Sequence, residues 1–244
     1  PQDRAEAAAG LLENGSTRDA ASLFRKLAAD STVPRAPLLA YRSMLAAGDP
    51  AGAARWFQGF SRENEKSTGP GLRAMHLAAV GKITELHDKA RFVNVDPAVS
   101  AEDLVFIART ALSHDASEVL DVAEEVLGKA LEMEPGHAGA EKALGEIRVR
   151  AGRLSEAIPL FLSALRKRPL DWGLLADAGK AMVEEGQTDE LRRLLGQDAL
   201  EDESCELMCR CPQLPGDGPE AAGNDRAAAR HWTWVCAIED WREP

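Results

Sequence analysis

Apolar residues recur along this chain at spacings of three and four, in blocks separated by short breaks that contain Gly, Pro or Asn. That spacing predicts amphipathic helices. The pattern is sharpest from His137 to Leu170, where two helices can be read on either side of Ala151-Gly152. Gly145 and Ala157 are small, so the two helices can approach closely, and Phe161 fills the space above them. Gly152 permits the tight turn, and Pro169 cannot continue a helix.

The second half of this hairpin recurs. Ala20-x3-Phe24-x2-Leu27, Ala53-x3-Phe57-x2-Phe60 and Ala123-x3-Leu127-x2-Ala130 match Ala157-x3-Phe161-x2-Ala164. Weaker units span about 71–98 and 171–200. The turn position is read at Gly15, Gly48, Gly81, Glu118, Gly152 and Gly186, at intervals of 33, 33, 37, 34 and 34 residues. A near-constant period of this length marks a helical repeat in which each unit exposes an apolar face that only a neighbour can cover. The extra residues of the long interval are assigned between the third and fourth units, as a longer loop or a change of superhelix direction. Residues 1–200 are therefore expected to be all-α, with about six helical hairpins.

The order Leu144-Gly145, Ala157, Phe161, Ala164, Pro169 resembles the tetratricopeptide repeat (TPR), in which Leu-Gly on one helix precedes Ala-x3-Phe-x2-Ala on the next and a closing Pro. The resemblance implies an α-solenoid wound as a right-handed superhelix. It also implies a concave groove lined by the first helix of each pair, where a peptide or protein partner binds. Carried onto this chain, the family's groove positions include Arg35, Arg42, Lys142, Glu146 and Lys180. A groove lined by Lys and Arg suits an acidic or carboxylate-ended peptide; the alternative is that these are ordinary solubilising charges. The chaperone-binding subclass needs paired Asn and Lys on adjacent repeats, and the Asn is missing at Glu146 and Lys180.

Composition agrees with close-packed helices, since aromatic residues make up only 5% and Ala is abundant. The net charge of −11 argues against a broad nucleic-acid or anionic-membrane surface. No apolar run is long enough to cross a membrane. The first residue is Pro1 and not Met, so we expect a piece of a longer or processed protein. The expected compartment is cytoplasmic, with any membrane tether lying outside this sequence.

From about 201 the character changes, and residues 201–244 read as a separate Cys/Trp-rich element. All four cysteines fall there, at Cys205, Cys209, Cys211 and Cys236. Three readings stay open. Those cysteines, with His231, can supply the four ligands of a zinc knuckle. A helix over 201–211 can instead place Cys205, Met208 and Cys209 on one capping face. The third reading is disorder over about 212–228 with a docked Trp-rich end. Trp234-Val-Cys236-x2-Glu239-x-Trp241 resembles the ending of LapB (YciM) proteins, bacterial helical-repeat regulators of lipopolysaccharide assembly, with Glu239 where that family has Cys. HemY-like repeat proteins, associated with haem biosynthesis, offer a comparable capped arrangement.

No P-loop, GxGxxG, HExxH or GxSxG occurs, and His76, His87, His114 and His137 read as scattered surface or helix-end residues. The expectation is a non-catalytic scaffold or adaptor that binds a protein or peptide, in a bacterial envelope or secretion assembly if the tail resemblance holds. Two alternatives stand beside it. One is a metal- or haem-linked protein whose tail cysteines hold zinc or a cofactor. The other is a self-associating repeat scaffold.

Overall fold

The computed structural model describes residues 2–28, 30, 32–65, 68–90, 96–115, 118–168, 171–188 and 191, with the side chain of Trp172 excepted. All the regular structure among them is helical. The helices are α1 Gln2–Glu13, α2 Thr17–Leu27, α3 Ala36–Ala46, α4 Pro50–Glu63, α5 Pro70–Ala79 and α6 Ile83–Ala90. They continue as α7 Ala101–Ala111, α8 Val119–Met133, α9 Ala138–Arg150, α10 Leu154–Lys167 and α11 Trp172–Glu184. None is long and apolar enough to cross a membrane, among the described residues. The fold is all-α, of the α-solenoid class. The chain divides into two compact units, 1–143 and 144–244, with the division inside α9. The boundary expected at 200/201 and the tail beyond it lie outside the described residues.

The hairpin turns have one chemistry. At the end of α1, Ser16 N–H donates to the Leu11 carbonyl at 2.8 Å and Gly15 N–H to that of Leu12 at 3.1 Å. This pair of bonds satisfies carbonyls the helix leaves over, and it requires a left-handed residue at Gly15, whose φ is 77°. The same pair closes α3 at Gly48, α5 at Gly81, α9 at Gly152 and α11 at Gly186. Each residue after such a glycine is placed to start the next helix. Asp49 does so with its side chain, accepting from Gly52 N–H at 2.8 Å, with Pro50 at the first helical position.

The fourth hairpin departs from the sequence expectation. Glu118 has φ −88° and stands at the N-cap of α8, so it is not the turn residue. Residues 112–118 join α7 to α8, where 151–153 suffice to join α9 to α10. The extra residues thus fall within the fourth hairpin. The cause is chemical: α7 ends on Leu112, Ser113 and His114, with no glycine to turn left-handed, and its last N–H groups bond only three or four residues back.

In the first unit, first helix packs on first helix, α3 on α5 and α5 on α7, while α6 packs on α8. The signature residues are the core: Ala20, Phe24, Ala123, Leu127 and Ala130 are wholly buried. The α5 N-terminus is capped from a distance, because Asp96 accepts from Gly71 N–H at 3.0 Å. In the second unit α10 packs on α11, and Ala157, Phe161 and Ala164 are buried. A Cβ added at Gly145 would stand 2.4 Å from the Phe161 ring. This is the close approach that the Gly145/Phe161 pairing implies.

Gly145→Ala should therefore lower stability by about 1–3 kcal/mol through overpacking. Gly10→Ala, on an open face of α1, should be neutral or slightly stabilising. Urea midpoints of the two variants, compared with the parent, check both expectations.

Candidate interaction site

The densest polar cluster of the first unit lies on its row of first helices. Ser100 and Asp103 form a capping box that opens α7 and turns the Asp103 carboxylate back toward the helix start. That carboxylate is wholly buried. Its Oδ2 accepts from Arg35 Nη2 at 2.7 Å, from Ser100 Oγ at 2.7 Å and from Ser100 N–H at 3.0 Å. Its Oδ1 accepts from Arg42 Nη1 at 2.9 Å. Both arginines come from the α3 side, so the contact passes over α5. A buried carboxylate is tolerated only when it is paired and hydrogen-bonded, and both conditions hold here.

The network continues outward. Arg42 Nη2 lies 3.2 Å from Glu102 Oε1, and its guanidinium sits 5.2 Å from the centre of the Phe106 ring. Glu102 Oε2 is 3.3 Å from His137 Nε2. His137 Nδ1 accepts from Ala140 N–H at 3.2 Å, which puts the ring proton of neutral His137 on Nε2, facing Glu102. Two guanidinium charges thus meet two carboxylates, and the buried Arg35 Nε is left without a hydrogen bond among the described residues.

A second cluster lies between α3, α4 and α5. Tyr41 is wholly buried, and its hydroxyl is 2.9 Å from His76 Nδ1. The His76 ring stacks on Phe57 at 4.0 Å, while Tyr41 meets Phe57 edge-on at 6.1 Å. Burial pushes the Tyr41 hydroxyl well above its ordinary range. Burial, helped by the charge of Lys82, pulls His76 below its usual 6.5. Neutral His76 and the Tyr41 hydroxyl share one hydrogen bond, whose direction follows the tautomer of the ring.

The structure brings together two of the five expected groove residues, Arg35 and Arg42, and matches their charges internally. Lys142 is half-buried in the first unit and Glu146 half-buried in the second, and each has interactions of its own. Lys180, in the second unit, is exposed. Cys205, Cys209, Cys211, Cys236 and His231 lie outside the described residues. Among the described residues, no three His, Cys, Asp or Glu side chains are grouped to hold a metal ion.

The sequence reading gives Asp103 no role and takes Tyr41 only as an apolar helix residue. Asp103 left a trace in the spacing Ser100-x-x-Asp103, a capping-box signature. Tyr41 left one too: it stands seven residues before its turn glycine, where other units have Ala8, Ala74, Gly145 and Gly179.

Residues 109–171, from the end of α7 through α10, match the family model for the tetratricopeptide repeat. Over those residues the chain carries a tetratricopeptide repeat. No curated protein matches it. Among solved structures, it is similar to MamA, at 17% identity, with 88% of this chain and 97% of that one covered and a TM-score of 0.48. It is also similar to a chain of the APC/C Cut9–Hcn1 hetero-tetramer, at 18% identity, with 79% of this chain and 38% of that one covered and a TM-score of 0.50. A tetratricopeptide-repeat protein from Parabacteroides merdae aligns at 13% identity over 98% of this chain and 92% of its own, with a TM-score of 0.44. At these identities the likeness speaks of fold alone. Tetratricopeptide repeats are, as a class, scaffolds for protein–protein interaction.

Removing the buried carboxylate should be costly. Asp103→Ala is expected to lose about 3 kcal/mol, because it strands Arg42, whereas Arg35→Ala should lose about 1 kcal/mol, its side chain being 44% exposed. Chemical denaturation of the two variants measures the difference. The His76 contact makes a separate prediction in pH. Its folded value lies below the unfolded one, so its stabilisation is complete above about pH 6.5 and is lost as pH falls through the folded value. Stability should therefore decline from pH 6.5 toward 5. His76→Asn, which can keep an acceptor near Tyr41 without titrating, should flatten that decline in urea melts at stepped pH.

Proposed function

We propose that this protein is a non-catalytic scaffold that takes a peptide or protein partner along the face of its first helices. The observation that carries the reading is the side-by-side packing of α3, α5 and α7, tied across by Arg35, Arg42 and Asp103. A face held in place before binding loses little conformational entropy when a partner arrives, which is how a rigid repeat surface gains affinity. Glu102, Phe106 and Arg109 follow one another along α7 at helical spacing and give that face a mixed polar and aromatic character. Because the two arginines are already matched by Glu102 and Asp103, the reading does not depend on an acidic ligand. It asks for a partner that complements a mixed surface.

A photo-crosslinking residue placed at Arg109 or Lys180, both exposed on first helices, should form adducts with a defined partner in cells. The same residue at Arg25 or Glu132, exposed on second helices, should form few. Adducts confined to the second helices, or none at any of the four positions, would sink the reading.

A further inference from the structure

At the edge of the first unit, where inter-hairpin loops gather, there is a cleft of about 220 Å³. It is built from the α2–α3 loop, the starts of α3 and α5, and the segment just before α7. Leu38 and Leu72 line its interior, each only 3% exposed, and Pro34 and Pro97 stand at its mouth. A space of only about 10–15 Å³ admits a water molecule, so this one admits a side chain. Among the described residues, its only charged lining groups are two carboxylates, Asp30 and Asp96.

Neither carboxylate has a cationic partner among the described residues. Asp30 accepts from Thr32 N–H at 2.9 Å and Thr32 Oγ1 at 2.7 Å, both on Oδ1, which leaves Oδ2 without a bond among the described residues. The Thr32 bonds also hold the Asp30 carboxyl below its ordinary range, so it is ionised at neutral pH. Asp96 is held by backbone alone, accepting from Gly71 N–H and Ala98 N–H, each at 3.0 Å. Arg35, five residues after Asp30, is bound instead to Asp103 at 2.7 Å and Ser100 at 3.2 Å. An apolar-walled cleft with two carboxylates that form no ion pair among the described residues complements a group that is aliphatic along its stem and cationic at its tip.

We propose that this cleft receives a lysine or arginine side chain from an extended segment of the partner protein. The proposal rests on the scaffold reading and adds a second contact, away from the first-helix face. The stem packs on Leu38 and Leu72 between the prolines, and the cationic head meets Asp30 and Asp96. Asp96 also caps α5, so it positions as well as binds. Asp30, at the surface of its loop, can be changed without disturbing a helix.

The test uses the whole chain, labelled with ¹⁵N, and three acetylated, amidated peptides, Ala-Leu-Xaa-Leu-Pro, in which Xaa is arginine, norleucine or glutamate. The arginine peptide should shift the Gly69, Leu72 and Ala98 amides saturably. Binding should weaken on raising the salt concentration, and about tenfold for Asp30→Asn and for the norleucine peptide. Shifts that are absent, that map to the first-helix faces instead, or that are equal for arginine and norleucine would overturn the proposal. So would an Asp30→Asn chain that binds as the parent does. The crosslinking experiment at Arg109 and Lys180 reads the scaffold function independently, so adducts there together with a silent cleft would reject this site and leave the scaffold standing.

Discussion

A carboxylate with no access to water holds the first unit in register. Asp103 cannot be buried alone, because an unpaired charge in a protein interior costs several kcal/mol. It therefore needs both Arg35 and Arg42, and those residues belong to a hairpin more than sixty positions earlier in the chain. Apolar contacts between repeats tolerate small slides, because one methyl group serves nearly as well as another. A carboxylate gripped by two guanidinium groups does not, since its bonds are directional and few. The consequence falls on α5, which must pass beneath the contact. It starts against Asp96 and Val99 so closely that a Cβ on Gly71 would come within 2.1 Å of Val99. Close packing at this helix start thus leaves room for glycine alone at position 71.

The same reciprocity of size and partner runs through the repeats. Seven residues before the turn glycine most units have Ala or Gly, and where Gly145 leaves room Phe161 fills it. The second unit of the repeat has Tyr41 at that position. A phenol is larger, and it brings a hydroxyl that cannot stay unbonded in the interior. His76 on the next first helix supplies the hydrogen-bond partner and Phe57 the ring against which both pack. In the third unit, Leu86 stands where others have Ala, and Ala90 where others have Phe or Leu, so large and small have exchanged places along α6. The period is conserved in geometry while its chemistry is rearranged hairpin by hairpin.

That distinction explains what could be read from sequence. The hairpins and their turns follow from local rules: apolar spacing fixes the buried face, and glycine after a helix end is needed for the left-handed turn. Both hold within a few residues, so Gly15, Gly48, Gly81, Gly152 and Gly186 were legible as turns. Glu118 does not fit because the repeat period alone assigns it to a turn, while the α7 terminus lacks a glycine and closes through a longer connection. The pairing of Arg35 and Arg42 was not legible on α3. Whether a cation on a repeat helix is available depends on what another helix, far off in sequence, places opposite it. No local pattern on α3 announces Asp103.

Internal pairing also changes what the surplus of negative charge means. The chain has 40 acidic and 29 basic residues. In the cluster around Asp103 the charges balance, so the two arginines that family position would assign to ligand capture contribute little to the outward field. The excess of carboxylates is then carried elsewhere in the chain. A field of that sign draws cationic segments and repels acidic ones during encounter, whatever contacts form later. An acidic peptide would have to approach against this field and then compete with Asp103 for guanidinium groups already bound at 2.7 and 2.9 Å. A basic segment meets neither obstacle. The internal use of two arginines thus removes the cations that would favour an acidic partner on this face.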